Sequence, residues 1–329
     1  MAVFPTNGDF TTSPEYTGSF IPTLWSGKLL AKFYQNTMLS EISNTDYEGE
    51  LRNKGDTIRI RTAPSITILD YTGAGSTLTT EVPTPIYQDM QVDQAKYFSV
   101  QTNDVLAQQA DMDLMNMFTD DAAKQMKINI EDEFFFNCFV TEGPAAANSG
   151  ATAGALSAAY DLGILTAPID TSTANNLLEC ILRMSAALDE QNVPEDGRWL
   201  VMTPYDRQIL MRSDIAQAYF SGDASSTIRT GKIGMLDRFT VYVSNLLPRG
   251  DANKDLVSGL TDPSTGGATT ANQRRTMIAG TKHATSFAMT ISKTEPLRNQ
   301  TDFGDIVRGL AVYGRKVVKP EALVVALVE

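Results

Sequence analysis

Residues 103–139 read NDVLAQQADMDLMNMFTDDAAKQMKINIEDEFFFNCF, a segment that neither Gly nor Pro interrupts. Apolar side chains recur at steps of three or four residues along one face, at Met115, Phe118, Ala122, Met126, Ile130 and Phe134. This spacing is typical of an amphipathic helix. At 1.5 Å per residue the 37 residues would span about 55 Å. The sequence therefore predicts one helix that is long for a compact domain.

The opposite face of this helix is acidic, and Lys124 and Lys127 are its only basic residues. Its eight acidic residues are Asp104, Asp111, Asp113, Asp120, Asp121, Glu131, Asp132 and Glu133. We interpret them as a solvated helix face. The whole chain has 39 acidic residues against 27 Lys and Arg, a formal net charge of −12. This balance argues against a protein that wraps nucleic acid over its whole surface, because neutralising phosphates requires clustered cations.

Two segments before the helix show the alternating pattern of β-strands. In DTIRIRT (56–62) and SITILDYT (65–72), isoleucines alternate with other residues, and GAGS (73–76) marks a turn. The next run contains Pro83 and Pro85, which restrict it to an edge strand. A hairpin with so little core of its own is marginal in isolation, so we expect it to lie against something else.

A further strand is predicted at VDQAKYFSV (92–100), with Phe98 and Val100 on one side.

The N-terminal segment, residues 1–20, has no periodic spacing of apolar residues and cannot fold alone. Residues 21–39 then form a predicted amphipathic helix. The apolar stripe of that helix must pack either within the chain or on another subunit.

An α/β region follows the long helix. We predict a helix over 172–191, a buried strand over 198–203 and a second strand over 238–245. Thr203 precedes Pro204 and is expected to cap a helix there. Residues 249–273 are rich in Gly, Thr, Ser and Asp and form a predicted surface loop. Four more strands are predicted in TMIAG (276–280), TSFAMTIS (285–292), DIVRGLAVYG (305–314) and EALVVALV (321–328).

Several kinds of chemistry lack their residues in this chain. One histidine, His283, and two cysteines, Cys138 and Cys180, argue against a four-ligand Cys/His zinc site and a disulfide framework. No phosphate-binding loop or serine-nucleophile motif is present. The longest uninterrupted apolar run has seven residues (322–328), too few for a membrane span. We therefore predict no catalytic residues, no cofactor, no metal site and no membrane partner.

The order of these segments is similar to that of a known protein family. Three N-terminal runs resemble it, IPTLWSGKLLAKFYQNTM (21–38), YEGELRNKGDTIRIRTAPSITILDYT (47–72) and VDQAKYFSVQ (92–101), and so does the ending GLAVYGRKVVKPEALVVALV (309–328). The chain resembles major capsid proteins of tailed bacteriophages, which share the Hong Kong 97 fold, and within them the coats of short-tailed phages. The resemblance implies an α+β fold with an N-terminal arm, an extended β-hairpin loop, a long spine helix, and peripheral and axial domains.

The resemblance also implies a division of the chain. It assigns 1–40 to the arm, 41–91 to the extended loop and 92–142 to the peripheral domain with the spine helix. The axial domain would cover 143–290 and include the surface loop at 249–273, and 291–329 would return as closing strands of the peripheral domain.

The function implied by the resemblance is that of a shell subunit without catalysis. It would assemble as pentamers and hexamers into an icosahedral head around double-stranded DNA, which it contacts only weakly. Further expected partners are a scaffolding protein, a portal at one vertex and a decoration protein, with assembly in the bacterial host cytoplasm. Two alternatives are a prophage-derived protein compartment and, from a different class, a cytosolic hydrolase with a carboxylate site.

Candidate contact residues follow from this interpretation. Those expected between subunits are Trp25, Leu29, Phe33, Arg59, Arg61 and Tyr71. Two acids in the arm, Asp9 and Glu15, are candidates for contact with a basic scaffolding protein.

Overall fold

The structure is a computed structural model. It describes residues 34–46, 57–104, 114–212, 234–248 and 274–329, except residues 36, 65, 72, 74–79, 85, 165–166 and 172–173. The α-helices are α1 (Leu39–Ile42), α2 (Leu114–Phe136), α3 (Ala174–Glu190) and α4 (Pro204–Leu210). A π-helical turn, Asn137–Glu142, continues α2, and short 3₁₀ turns occur at Ala146–Asn148 and Pro320–Ala322. None of the described helices is long and apolar enough to cross a membrane.

Ten strands are described, and they form three sheets. They are β1 (Thr57–Thr62), β2 (Ile86–Gln91), β3 (Gln94–Asn103), β4 (Arg198–Met202), β5 (Met235–Leu236), β6 (Phe239–Val243), β7 (Arg275–Thr281), β8 (Thr285–Arg298), β9 (Gly304–Val317) and β10 (Leu323–Val328).

The five-stranded sheet has the order β10-β7-β4-β6-β5. Every residue of β4 and β7 is buried, as expected for central strands covered on both faces. Thr203 caps α4 as predicted, because its side chain accepts a hydrogen bond from the Asp206 N–H. The predicted helix over 172–191 and the strands over 198–203 and 238–245 are present with slightly shorter bounds.

The three-stranded sheet has the order β3-β9-β8 and is antiparallel throughout. Phe98 and Val100 lie on its less exposed face, as the alternation in β3 predicts. Phe98 faces Gly309 across the ladder, and a Cβ at that glycine would collide with the Phe98 ring. Helix α2 contacts both β3 and β9.

One continuous hydrophobic core joins α2, α3 and the five-stranded sheet. The aromatic ring of Phe134 packs edge-on against Phe135, Phe139 and Phe287, and Phe139 packs edge-on against Trp199. The predicted apolar face of the spine helix is confirmed at Ile130 and Phe134, which are buried.

The structure differs from the predicted bounds of two helices, those over 21–39 and 103–139. The helix predicted over 21–39 does not include Tyr34, Gln35, Thr37 or Met38, and most of the rest lies outside the described residues. The helix predicted over 103–139 does not begin at Asn103, because that residue closes the β3 ladder opposite Gly304. Its described α-helical residues are Asp104 and those of α2.

The segment SITILDYT does not form the predicted strand. Its described residues, 66–71, belong to no ladder. Alternation alone is insufficient, since a strand requires a partner for its backbone groups. The strand predicted in the following run begins only after the two prolines, at Ile86.

Elements of the structure cross three of the predicted segment boundaries, and the division into domains stays a prediction. Residues 41–46, assigned to the extended loop, lie on the body of the subunit, where Asn44 forms a parallel bridge with Ser286. The boundary at 290 falls inside β8, which pairs with β9 as far as Arg298 opposite Asp305. The last strand, assigned to the peripheral domain, instead joins the five-stranded sheet, where Leu323 pairs with Gly280.

Candidate subunit interface

The hairpin β1–β2 is attached to the body of the subunit by a small apolar cluster. Ile58 and Ile60 on β1 and Met90 on β2 pack with Ala288 of β8, and all four side chains are buried. The alternating arginines of β1 point to the opposite, exposed face. The hairpin therefore has a fixed root, and its remaining apolar residues lie beyond this cluster.

Beyond the root, the chain exposes apolar side chains along a segment without ladder partners. We call this set the loop surface; its side chains are Ile66 (70% exposed), Ile68 (94%), Leu69 (62%), Tyr71 (69%) and Val82 (81%). The Thr67 N–H donates to the Glu81 carboxylate at 2.9 Å, which ties the two sides of the loop together. Large exposed apolar side chains gathered in one loop are a candidate site of protein interaction.

Two of the candidate contact residues, Arg59 and Arg61, differ in their surroundings. Arg59 donates to Asp89, directly opposite on β2, at 2.9 Å, and its guanidinium lies 4.2 Å from the centre of the Tyr87 ring. This hydrogen bond lowers the pKa of Asp89 below its usual range. Arg59 is thus satisfied within its own chain, whereas Arg61 is exposed at the end of β1 and lines a pocket described below.

The chain segment before β1 is held on α2 by carboxylates. We call this contact the arm latch. Glu131 accepts hydrogen bonds from the Met38 N–H at 2.7 Å and the Leu39 N–H at 3.0 Å, while the Tyr34 hydroxyl donates to Asp121 at 2.8 Å.

Glu131 is the most unusual of these groups, because it is only 1% exposed. Its Oε2 accepts both backbone hydrogen bonds, and its Oε1 is buried with no hydrogen-bond partner among the described residues. Burial raises the pKa of Glu131 to about 7, and the two backbone hydrogen bonds oppose that rise.

A second carboxylate of α2 binds the helix to the three-stranded sheet. Glu133 pairs with Lys96 at 2.6 Å, accepts from the Tyr313 hydroxyl at 2.8 Å and accepts from Arg315 at 2.7 Å. Burial alone would raise the pKa of Glu133, but the hydrogen bonds from Lys96 and Tyr313 and the charge of Arg315 lower it below its usual range. Burial and the Glu133 carboxylate together raise the pKa of Tyr313.

The acidic residues of the spine segment are therefore not a uniformly solvated face. Glu131 and Asp121 hold the preceding segment, Glu133 holds the sheet, and Asp104 pairs with Arg298 of β8. The sequence carried a signal for one of them: Glu131 lies three and four residues before Phe134 and Phe135, on the apolar side of the helix.

The remaining predicted contact residues stay predictions. Tyr71 lies on the loop surface and is exposed, which leaves it available to another molecule. The other five predicted residues lie outside the described residues: Asp9, Glu15, Trp25, Leu29 and Phe33. Among the residues the structure does describe, no group of three or more His, Cys, Asp or Glu side chains could hold a metal ion.

Comparison with known proteins identifies the family. A family model described as phage capsid protein matches residues 87–326, well over half of the chain. The chain belongs to the phage capsid protein family. The match covers α2 and all three sheets except β1, the first residue of β2 and the last two residues of β10, so it includes the framework to which the hairpin and the arm latch are attached.

Solved capsid structures agree with this assignment. A structure from Mycobacterium phage Che8 superimposes with a TM-score of 0.72 at 26% identity, covering 94% of this chain and 97% of that one. The capsid of cyanophage P-SCSP1u gives 0.69 at 14% identity and covers 98% of both chains. The capsid of Myoviridae phage XM1 gives 0.61 at 11% identity, with 93% and 97% coverage. A comparison with curated proteins found no match.

These matches confirm the expected capsid fold and function. The chain is a major capsid protein of α+β class with the Hong Kong 97-like fold, and it forms the shell of a phage head. The narrower likeness to the coats of short-tailed phages stays a prediction, because the similar structures include the capsid of a Myoviridae phage.

Proposed function

We propose that copies of this capsid protein join as pentamers and hexamers into an icosahedral shell around double-stranded DNA, and that neighbouring copies cover the loop surface. The observation that supports this proposal is the set of five exposed apolar side chains on a segment whose described residues belong to no ladder. Burying apolar area contributes about 25 cal/mol per Å², so side chains left in water on the subunit become a source of free energy for assembly.

The arm and the hairpin fasten neighbours in this proposal. The hairpin root is fixed by its apolar cluster, so the loop surface is presented at a defined place rather than at the end of a free tether. Rigid presentation lowers the entropy lost on association. Trp25, Leu29 and Phe33 form the corresponding anchors of the arm.

The proposed work of the subunit is geometric and involves no catalysis. Residues 92–142 and most of 285–317 form a peripheral domain, and the residues around the five-stranded sheet, including 323–328, form an axial domain. Asp9 and Glu15 contact a basic scaffolding protein, a portal occupies one vertex, and a decoration protein binds outside. Assembly takes place in the bacterial host cytoplasm.

Contact with the packaged DNA is weak and non-specific in this proposal. Because the net charge of the chain is −12, its electrostatic attraction for DNA phosphates is small. Two carboxylates of the spine segment add little to that effect, because Asp104 is paired with Arg298 and Glu133 with Lys96 and Arg315 within the subunit.

A thiol-protection experiment tests the proposal for the loop surface. Both native cysteines are buried, with Cys138 0% and Cys180 1% exposed, so an introduced cysteine is the only one that reacts rapidly. Ile68→Cys is expected to react with a maleimide in unassembled subunits and to be shielded in particles. Ile60→Cys, at a buried position of the hairpin root, gives the unreactive baseline. Equal reactivity of the Ile68→Cys variant in both forms would contradict the proposal.

The cargo needs its own measurement. Electron microscopy of particles purified from an infected host, together with a nuclease-protection assay, is expected to find a closed shell that protects double-stranded DNA. Closed particles that contain protein and no nucleic acid would favour the protein-compartment alternative instead.

A further inference from the structure

A pocket at the root of the hairpin has the chemistry of an oxyanion site. It has a volume of about 300 Å³ and lies between the end of β1, the turn before β8 and the residues that follow β9. Three basic residues from these separate parts of the chain line it: Arg61, His283 and Lys319. We propose that this pocket binds the carboxylate of an Asp or Glu side chain from a second copy of the capsid protein, an inference that rests on the proposed function.

The lining of the pocket is complementary to a negative group. None of its described lining residues is acidic, and Asn44, Thr62, Thr285 and Ser286 add polar groups to the basic ones. A guanidinium and an ammonium facing one cavity favour a carboxylate, because charge-assisted hydrogen bonds are stronger than neutral ones. No described carboxylate pairs with Arg61 or Lys319, whereas Arg59, two residues earlier, is paired with Asp89.

One wall of the pocket is closed by a buried residue. Thr285 is fully buried, and its Oγ1 has no hydrogen-bond partner among the described residues. Because that hydroxyl is shielded from solvent, we assign recognition of the anion to the basic side chains that line the pocket.

The walls of the pocket are fixed before any ligand arrives. The Asn44 N–H donates to the Thr285 carbonyl at 2.9 Å, and the Phe287 N–H donates to the Asn44 carbonyl at 2.9 Å. On the other side, the Val318 N–H donates to the Ala284 carbonyl at 2.8 Å. A site built on paired backbone loses little freedom on binding.

The geometry favours a protein side chain over DNA as the source of the anion. A phosphate on a duplex is part of a continuous backbone, and binding it requires cations spread along a surface. Here the cations converge on one cavity, whose Thr285 wall is buried. A carboxylate on a side chain can enter such a cavity singly. With 39 acidic residues in each copy, an assembly of this chain brings many carboxylates near each pocket.

Zero-length cross-linking identifies the occupant. Shells are assembled without DNA from a mixture of ¹⁴N- and ¹⁵N-labelled full-length subunits and treated with a carbodiimide, which joins an amine to a carboxylate that touches it. We expect the Lys319 peptide to be joined to an Asp- or Glu-containing peptide, with light–heavy pairs that identify two different copies. Cross-links of Lys319 confined to same-isotope pairs, or no Lys319 cross-link in these shells, would overturn the inference.

Assembly energetics provide the second test. The double variant Arg61→Gln/Lys319→Gln removes both permanent charges, and Lys282→Gln/Lys293→Gln removes two charges from exposed residues that do not line the pocket. We expect the subunit concentration for half-assembly to rise by about tenfold per lost contact in the pocket variant and to stay unchanged in the control. Unfolding of the unassembled subunits, followed by circular dichroism, verifies that both variants fold.

The outcomes separate the two levels of the proposal. If wild-type subunits form no icosahedral shells even when the scaffolding protein is supplied, the proposed function fails. If wild-type subunits assemble and the pocket variant assembles at the same concentration as the control, the shell function stands and the carboxylate site is refuted.

Discussion

The central strands of the five-stranded sheet bury their apolar residues, whereas the hairpin loop exposes its own. Every residue of β4 and β7 is buried by the chain itself, whereas Ile66, Ile68 and Val82 of the loop surface are 70–94% exposed. The sheet is complete within one subunit, but the loop is not. The comparison teaches that burial within the subunit stabilises the fold, while the exposed apolar area is what the proposed function assigns to assembly.

The largest effect on subunit stability is expected in the sheet. Trp199 of β4 is 2% exposed and packs edge-on against Phe139. Trp199→Ala should lower the free energy of unfolding by about 3–5 kcal/mol, because it leaves a large cavity in the core. Urea unfolding of unassembled subunits measures this change, and a loss below about 1 kcal/mol would contradict the comparison.

A pH-dependent effect is expected at the arm latch. The pKa of Glu131 is about 7 in the folded subunit against 4.5 without burial, so the folded state retains a proton that the unfolded chain releases. The free energy of unfolding should therefore fall by up to about 3 kcal/mol as pH rises from 4.5 to 7. Glu131→Gln should remove this part of the slope in urea unfolding at several pH values.

Asp120→Asn is the matched control for that experiment, because Asp120 is an exposed acid on the same helix. The control should keep the wild-type slope between pH 4.5 and 7. An unchanged slope in Glu131→Gln would mean that the latch carboxylate does not hold the extra proton.

A smaller effect is expected where α2 meets the three-stranded sheet. Tyr313→Phe removes the hydroxyl that donates to Glu133 and keeps the buried ring. We expect a loss of about 2 kcal/mol in the free energy of unfolding, the range for a hydrogen bond to a charged group. Tyr97→Phe on β3, whose ring is 79% exposed, is the control and should leave stability unchanged.

The smallest effect on the subunit itself is expected on the loop surface. Ile68→Ser should change the free energy of unfolding by less than about 0.5 kcal/mol, because the side chain is 94% exposed. The same variant should lower the yield of particles in sedimentation, since it removes apolar area reserved for a neighbour. A normal particle yield would contradict the claim that the exposed side chains of the loop surface serve assembly.

Periodicity in the sequence was sufficient to predict the elements that are completed locally. The alternation of Ile58 and Ile60 with arginines predicted β1, and Thr203 before Pro204 predicted the start of α4. These signals succeed because a strand face or a helix cap depends on residues close together in the chain.

Elements that depend on distant partners were not predictable in the same way. Ile66 and Ile68 alternate like a strand, yet no described strand pairs with them. Strand β10 follows β9 in sequence but pairs with β7, a choice that only the packed core determines. Glu131 was predicted to lie on the solvated face of the helix, although Phe134 and Phe135, one turn later, face the core.

The contacts of the candidate interface stay predictions. Tyr71 was predicted as a contact between subunits and is exposed. The pocket beside Arg61 was not predicted, because His283 and Lys319 are more than 200 residues away in sequence. Convergence of that kind requires the ladders of β8 and β9, which bring the turn at His283 beside the end of β9.

The pairing of β10 with β7 has a consequence for the timing of synthesis. Strand β7 lies between β4 and β10, so one of its edges stays open until the ribosome has translated residue 328. Backbone groups on an open edge invite pairing with other nascent chains. The five-stranded sheet therefore closes only after β10 has been translated, and shorter nascent chains lack the finished sheet that a growing head would incorporate.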